Sequence, residues 1–319
     1  RNSPGSQPSA GPAAAIVAGA SEDDAGFSVD LLAGASDPDS SDVLNVANLI
    51  LVGGDGSGIA LVGNSLTVDP NAYNGLAVGE SSIVTYSYDV IDGNGGVVGQ
   101  TATITIEGRN DGPVALADLA VTGEDTGVDV AAVSNDTDVD GSDVLSVLSH
   151  DATSASGANV TLNVDGSLHY DPTGSASLNA LAVGESAIDS FTYVVSDGNG
   201  GTDTATVTVT VEGRNDGPTA VADAATTDED TGIDIAVLGN DTDPDTTDVL
   251  SVQSVSATST LGAAVILDGT NVEYDPTGAA ALQGLAEGET ATDSFTYVVS
   301  DGNGGTDSAT VTLGVVGRN

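Results

Sequence analysis

Thr alternates with Ala205, Val207, Val209 and Val211 through Thr204–Glu212 (TATVTVTVE), the two-residue period of a strand with one buried face and one wet face. Ser190–Ser196 (SFTYVVS), Asp248–Ser256 (DVLSVQSVS) and Ala263–Leu267 (AAVIL) are further runs rich in β-branched residues. Gly, Asn and Asp clusters interrupt these runs about every 8–12 residues, the rhythm of a β-sandwich. One stretch, Thr173–Leu181, favours a helical turn. No apolar run approaches the ~20 residues that a membrane-spanning helix needs.

The pattern repeats. Gly-Arg-Asn recurs at 108–110, 213–215 and 317–319, and Arg1-Asn2 reads as the tail of an earlier copy. Val194–Asp203 (VVSDGNGGTD) reappears letter for letter at 298–307, while the first copy reads DVIDGNGG at 89–96, then inserts Val97-Val98 and loses the later Asp. Self-similarity at this period marks tandem domains. Arg-Asn-Asp-Gly-Pro leads straight into the next strand, so the joints are very short. About seven short strands in each ~105-residue copy is the size of an Ig-like domain. The expected architecture is all-β, three tandem β-sandwich domains arranged end to end, with boundaries at 1–109, 110–214 and 215–319. Their cores must be built from Val, Leu and Ile, anchored by Phe191/Tyr193 and Phe295/Tyr297.

Charge adds the next constraint. Against 48 Asp and Glu stand only four cationic residues, giving a formal net charge of -44. All four are Arg, at positions 1, 109, 214 and 318. No basic patch can be assembled, which excludes nucleic acid and attraction to an anionic membrane surface. Cys, Met and Trp are absent, removing disulfides, thiolate chemistry and cysteine-based zinc sites. The strand-like apolar runs separate the chain from a disordered acidic tail. It starts with Arg rather than Met and shows no signal-peptide pattern, as expected of an excised or processed segment.

The acid is gathered in four places per copy. Glu22-Asp23-Asp24, Glu124-Asp125 and Asp228-Glu229-Asp230 come first. Asp37-Pro-Asp39, Asp136-Thr-Asp138-Val-Asp140 and Asp241-Thr-Asp243-Pro-Asp245 come next. Glu80, Glu185 and Glu289 each precede by 12 residues the Asp of Asp-Gly-Asn-Gly, and Asn110-Asp111 and Asn215-Asp216 form the joints. Turn chemistry alone accounts for a lone Asp-Gly-Asn-Gly, but three correlated copies of such clusters, with no Lys to balance them, call for cations. Hard oxygen donors on loops, without His or Cys, suit calcium above any transition metal. An EF-hand is excluded, because Val147 stands where the twelfth loop position requires Glu and Thr246 stands where the third copy would need Gly.

This order of motifs resembles the cadherin repeat, and more closely the bacterial cadherin-like (VCBS-type) repeats of very large secreted adhesins. The residues that carry the resemblance are Glu229, Thr242-Asp243-Pro244-Asp245, Glu289, Asp301-Gly302-Asn303 and Asn215-Asp216-Gly217-Pro218, with their counterparts in the other copies. The resemblance implies cadherin-like sandwiches with a calcium cluster at each joint. The first would use Glu22, Glu80, Asn110, Asp111, Asp138, Asp140 and Asp197, and the second Glu124, Glu185, Asn215, Asp216, Asp243, Asp245 and Asp301. Asp37, Asp39 and Asp92 would face a preceding domain, and Glu229 with Glu289 a following one. Asp203 and Asp307 have no equivalent in the first copy, and Ala35 stands where the others have Asp136 and Asp241.

The implied role is a calcium-rigidified extracellular, cell-surface spacer, with neighbouring repeats of the same chain as its partners. The alternatives are a carbohydrate- or protein-binding adhesion module, or a homophilic assembly module of a fibre or matrix. A polysaccharide site would draw on Tyr73, Tyr86, Tyr88, Tyr170 or Tyr274, although alternate-position Tyr also suits a core. Arg109 and Arg214 are candidates to clamp leftover carboxylates across the joints. An enzyme is not expected, since His150 and His169 occur in one copy alone and complete no catalytic set.

Overall fold

The computed structural model describes residues 14–39 and 41–318; Arg1-Asn2, read above as the tail of an earlier copy, and Asn319 lie outside them. The chain is all-β, and each repeat contributes seven strands. In the first repeat these are β1 (Ile16–Ser21), β2 (Phe27–Asp30), β3 (Asn45–Gly53), β4 (Ile59–Val62), β5 (Ser65–Val68), β6 (Ser81–Ile91) and β7 (Val97–Glu107). The second has β8 (Asp118–Gly123), β9 (Val128–Val130), β10 (Ser146–His150), β11 (Asn159–Leu162), β12 (Leu168–Asp171), β13 (Ser186–Ser196) and β14 (Thr202–Glu212). The third has β15 (Asp223–Asp228), β16 (Ile233–Ile235), β17 (Ser251–Val255), β18 (Ala264–Asp268), β19 (Asn271–Asp275), β20 (Thr290–Ser300) and β21 (Thr306–Val316). Every repeat pairs a four-stranded sheet with a three-stranded one. In the first, the orders are β1-β7-β6-β3 and β2-β5-β4. The first strand of each repeat lies parallel to the last, over six residue pairs from Ile16↔Ala102 to Ser21↔Glu107 in β1 and β7, and likewise in β8 with β14 and β15 with β21.

Two compact units divide the chain inside the middle repeat. One holds the described residues up to Leu116 with Val133–Ser149 and Tyr193–Ala205; the other holds Ala117–Ala132, His150–Thr192 and the described residues from Thr206 onward. Each unit therefore contains one whole joint.

Alternation along the long strands fills the cores. Val207, Val209 and Val211 of β14 are fully buried, while the intervening Thr residues face outward. Val84, Ile104, Ile106, Leu31 and Leu66 centre the first core, and Val299, Val311, Leu313 and Val315 the third. The expected anchors are in place, with Phe191, Tyr193, Phe295 and Tyr297 at most 3% exposed. The Thr173–Leu181 stretch forms successive turns rather than a helix; one i→i−4 bond, Asn179 N–H to Ser175 O, is its nearest approach.

The Gly of the recurrent Gly-Arg-Asn has a packing cause. A Cβ on Gly108 would lie 2.3 Å from the carbonyl oxygen of Leu76, and on Gly213 2.3 Å from that of Ala182. Only a bare backbone passes this point.

A buried polar trio distinguishes the later repeats. The Asp189 carboxylate, 2% exposed, accepts hydrogen bonds from Ser154 Oγ, Tyr170 Oη and the amides of Ser156 and Ser190. Asp293 does the same with Ser259, Tyr274 and Leu261 N–H. At the corresponding positions the first repeat has Gly54, Val68 and Val84, so the whole trio is replaced by apolar residues and glycine. Burial acts to raise the Asp189 pKa, but the hydrogen bonds outweigh it and hold the group below its ordinary value. Its stabilisation is therefore present above the ordinary Asp value and is lost as pH falls through the lower folded value. Tyr170→Phe should weaken the middle repeat by ~1–3 kcal/mol, lowering its calorimetric transition by at least ~4 °C. An unshifted transition would show that the hydroxyl contributes nothing.

Candidate metal centres at the joints

Each joint is assembled around a buried glutamate. Glu22 is fully buried; its Oε1 accepts the Arg109 amide at 2.6 Å and its Oε2 the Leu76 amide at 3.2 Å. Asp111, on the joint itself, donates its amide to Asp140 Oδ2 at 2.9 Å, and the Asp140 amide reaches Asp138 Oδ1 at 2.9 Å. Asn110 Nδ2 spans from the Asp111 carbonyl (2.7 Å) to Asp197 Oδ2 (2.8 Å). The second joint reproduces these bonds: Arg214 N to Glu124 at 2.5 Å, Asp216 N to Asp245 at 2.9 Å, Asp245 N to Asp243 at 2.9 Å and Asn215 Nδ2 to Asp301 at 2.9 Å.

Asp197 shows how the recurrent Asp-Gly-Asn-Gly-Gly works. Gly198 and Gly200 take φ of 84° and 116°, left-handed conformations that favour glycine. The loop they shape turns the amides of Asn199, Gly200 and Gly201 onto the carboxylate. Burial opposes ionisation of Asp197, but the Asn110 and backbone hydrogen bonds outweigh it and lower its pKa. Asp301 is held in the same way.

The other joint carboxylates go the opposite way. Burial raises the pKa of Glu22, with Asp140 and Asp111 adding repulsion. Asp111 is raised by burial and by Asp23 and Asp138, and Asp140 by burial and by Asp111, Asp138 and Asp143. At the second joint Glu124, Asp216, Asp243 and Asp245 are all raised, burial first. Several buried oxygens have no hydrogen-bond partner, and they match between joints: Asn110 Oδ1, Asp138 Oδ2 and Asp140 Oδ1 against Asn215 Oδ1, Asp243 Oδ2 and Asp245 Oδ1. Acceptors without donors, all oxygen, in a site of surplus negative charge fit a hard divalent cation.

The structure brings together Glu22, Asn110, Asp111, Asp138 and Asp140, with Asp197 joined through Asn110, and the matching set at the second joint. Glu80 and Glu185 lie beside the joints, their carbonyls accepting the amides of Gly108 and Gly213. Both are exposed, each accepting the amide three residues back, from Ala77 and Ala182. Sequence reasoning passed over Asp143 and Asp248. Asp138, Asp140 and Asp143 can place ligand oxygens within 4.8 Å of one another, as can Asp243, Asp248 and Asp301, and Asp37, Asp42 and Asp92 in the first repeat. The signal was available, since Asp42, Asp143 and Asp248 each follow the first Asp of the pair by five. Asn74 and Asn179, which hold Asp111 and Asp216 at 2.9 and 2.8 Å, were also passed over.

One expectation is corrected. The arginines do not clamp carboxylates across the joints: Arg109 Nε donates to Ser21 Oγ at 3.1 Å, Arg214 lies over Gly123, and Arg318 pairs with Asp228 at 2.8 Å, each within its own repeat. Asp203 and Asp307, absent from the first copy, accept the amides of Ala115 and Ala220. Asp136 and Asp241 likewise take the amides of Leu116 and Val221 and a tyrosine hydroxyl.

Comparison with known proteins bears on this geometry. A family described as cadherin-like domain matches residues 5–107, bacterial cadherin-like domain matches 110–213, and bacterial Ig domain matches 215–314. These matches cover the three repeats in succession and are consistent with bacterial cadherin-like tandem repeats. Mouse cadherin-23 EC22-24 resembles it with a TM-score of 0.53 at 14% identity, over 98% of both chains. Mouse protocadherin-24 EC1-3 gives 0.53 at 15%, over 98% of this chain and 100% of that one. At these identities the likeness is one of fold. The human desmocollin-1 ectodomain gives 0.42 at 12%, and the chain, 95% covered, spans 60% of its length. Comparison with curated protein sequences gives no match.

Cadherin-like domains are extracellular adhesion or spacer modules, generally without enzymatic activity, and typically bind calcium. No helix among the described residues is long and apolar enough to cross a membrane.

The raised pKa values carry a sign. A carboxyl raised in the fold contributes stability below its ordinary value and loses it as pH rises through the folded value. In chelator, the joints should therefore gain stability as pH drops from 7 toward ~4.5. Hydrogen-exchange protection of the Arg109 and Arg214 amides should rise over that interval, after correction for intrinsic rates. Flat or falling protection would contradict it.

Proposed function

We propose that the chain is a calcium-stiffened spacer segment of a large extracellular adhesin, with repeats bounded at 1–109, 110–214 and 215–319. The matched stretches at 5–107, 110–213 and 215–314 support those boundaries. The observation that carries the reading is the matched set of buried, partnerless oxygens, Asn110 Oδ1, Asp138 Oδ2 and Asp140 Oδ1 with their counterparts. A buried acceptor left without a donor costs about 1–3 kcal/mol, and more when charged. Calcium takes 6–8 oxygen ligands and answers that deficit. Glu22, Asn110, Asp111, Asp138, Asp140 and Asp197, joined by Asp143, would hold it at the first joint. Glu124, Asn215, Asp216, Asp243, Asp245 and Asp301, joined by Asp248, would do so at the second.

Bound there, calcium supplies positive charge between carboxylates that otherwise repel. The protein's part is to tie the joint's backbone to both flanking repeats, through the Glu22 and Asp140 carboxylates. A joint so tied and so neutralised passes orientation from one repeat to the next. For a carbohydrate-binding role the rings are badly placed: none of the ten aromatic residues is exposed, and Tyr73, Tyr86, Tyr88, Tyr170 and Tyr274 are all core residues.

Calorimetric titration should show calcium binding with dissociation constants of about 0.1–1 mM. Asp140→Ala and Asp245→Ala should each remove the sites of one joint and leave the other. Small-angle scattering should give a larger maximum dimension in calcium than in chelator. Equal dimensions in the two conditions would end the spacer reading.

A further inference from the structure

The outward face of β6 and β7 differs between repeats. In the third, Val298 of β20 faces Ser308 of β21, and the matching string puts Val194 and Thr204 at these places in the second. In the first repeat the same pair is Asp89 and Gly99. A carboxylate replaces an aliphatic side chain, and the side chain opposite is gone.

The edge strand of the third repeat is bulged, between Val252 and Ser254 of β17, but without a positive φ there. β3 is bulged between Ala47 and Ile50, and Asn48 in that bulge has φ 51°, the one positive value outside glycine among the described residues. Bulges re-aim side chains and recur beside functional sites. Here the bulge directs the Asn48 amide onto Asp89 Oδ2 at 2.8 Å. Among the described residues the result is an open groove of about 350 Å³, lined by Ala15, Asn48, Ile50, Ser87, Asp89, Gly99 and Thr101.

The lining defines the guest. Asp89, the Asn48 side-chain oxygen and the two hydroxyls offer a surplus of acceptors. Ile50, 59% exposed, gives a methylene stem something to lie on. The net charge of -44 attracts a cation from a distance. A sugar ring finds no exposed aromatic to stack on. A second copy of this chain has no Lys to offer, and two of its four Arg, Arg109 and Arg318, bond within their own repeats. We propose that this groove binds a basic side chain, foremost an arginine guanidinium, presented by an extended segment of a partner protein. The proposal does not depend on the spacer reading, since it requires no ion at either joint.

The test is amide NMR of the isotope-labelled full chain, titrated with acetyl-Gly-Arg-Gly-amide in saturating calcium and physiological salt. The expected result is saturable shifts confined to Asn48, Ser87, Asp89, Gly99 and Thr101. Binding should be about tenfold weaker in Asp89→Asn, from loss of a charge-assisted contact, and in Gly99→Thr, which restores the residue of the second repeat. Asp55→Asn, exposed and outside the groove, should leave affinity unchanged. Shifts scattered over the acidic loops would overturn the proposal, as would an equal loss in Asp55→Asn or affinity indifferent to both groove variants. So would the same residues responding to methyl α-glucoside and not to the peptide.

Discussion

Like charges buried side by side are the constraint on which the joints depend. Glu22 is inside the protein because the Arg109 and Leu76 amides need its oxygens, and Asp140 is inside because the Asp111 amide needs it. Neutralising these acids by substitution would unfasten the backbone; keeping them crowds negative charge into a space with too few donors. The same side chains are both fastener and liability. On the function proposed above, a divalent cation would resolve the conflict without changing a residue.

The carboxylates sort into two kinds by their hydrogen bonds. Asp189, Asp197, Asp293 and Asp301 are surrounded by donors and held below their ordinary pKa values; they brace loops and cores. Glu22, Asp111, Asp140 and their counterparts are raised, and oxygens at these joints lack partners. Burial is common to both kinds, so it does not separate them. The number of donors pointed at each oxygen does.

Much of this was legible in the chain. The Thr–Val alternation of 204–212 fixed a strand and its inward face, and the Gly-Arg-Asn markers fixed the organisation, because both follow from local periodicity. Side-chain direction was harder to read. Glu80 and Glu185 also close their own turns, and Asp203 and Asp307 satisfy backbone amides across the repeat. Which donor an Asp serves depends on amides up to ~90 residues away, and composition holds no record of them. Asp143 was hidden differently: it resembles turn chemistry until the five-residue spacing is compared across copies.

The parallel pairing of the first and last strands of each repeat has a mechanical consequence. Because β1 and β7 run the same way, the chain enters a sandwich at one end and leaves at the other. Tension applied through the two termini then pulls these strands along their length in opposite directions. The bonds across all six residue pairs from Ile16↔Ala102 to Ser21↔Glu107 are loaded together in shear, and none can open first as in a peeled hairpin. Resistance to forced unfolding follows the unfolding barrier rather than equilibrium stability, so a domain with a modest aliphatic core can still hold under load.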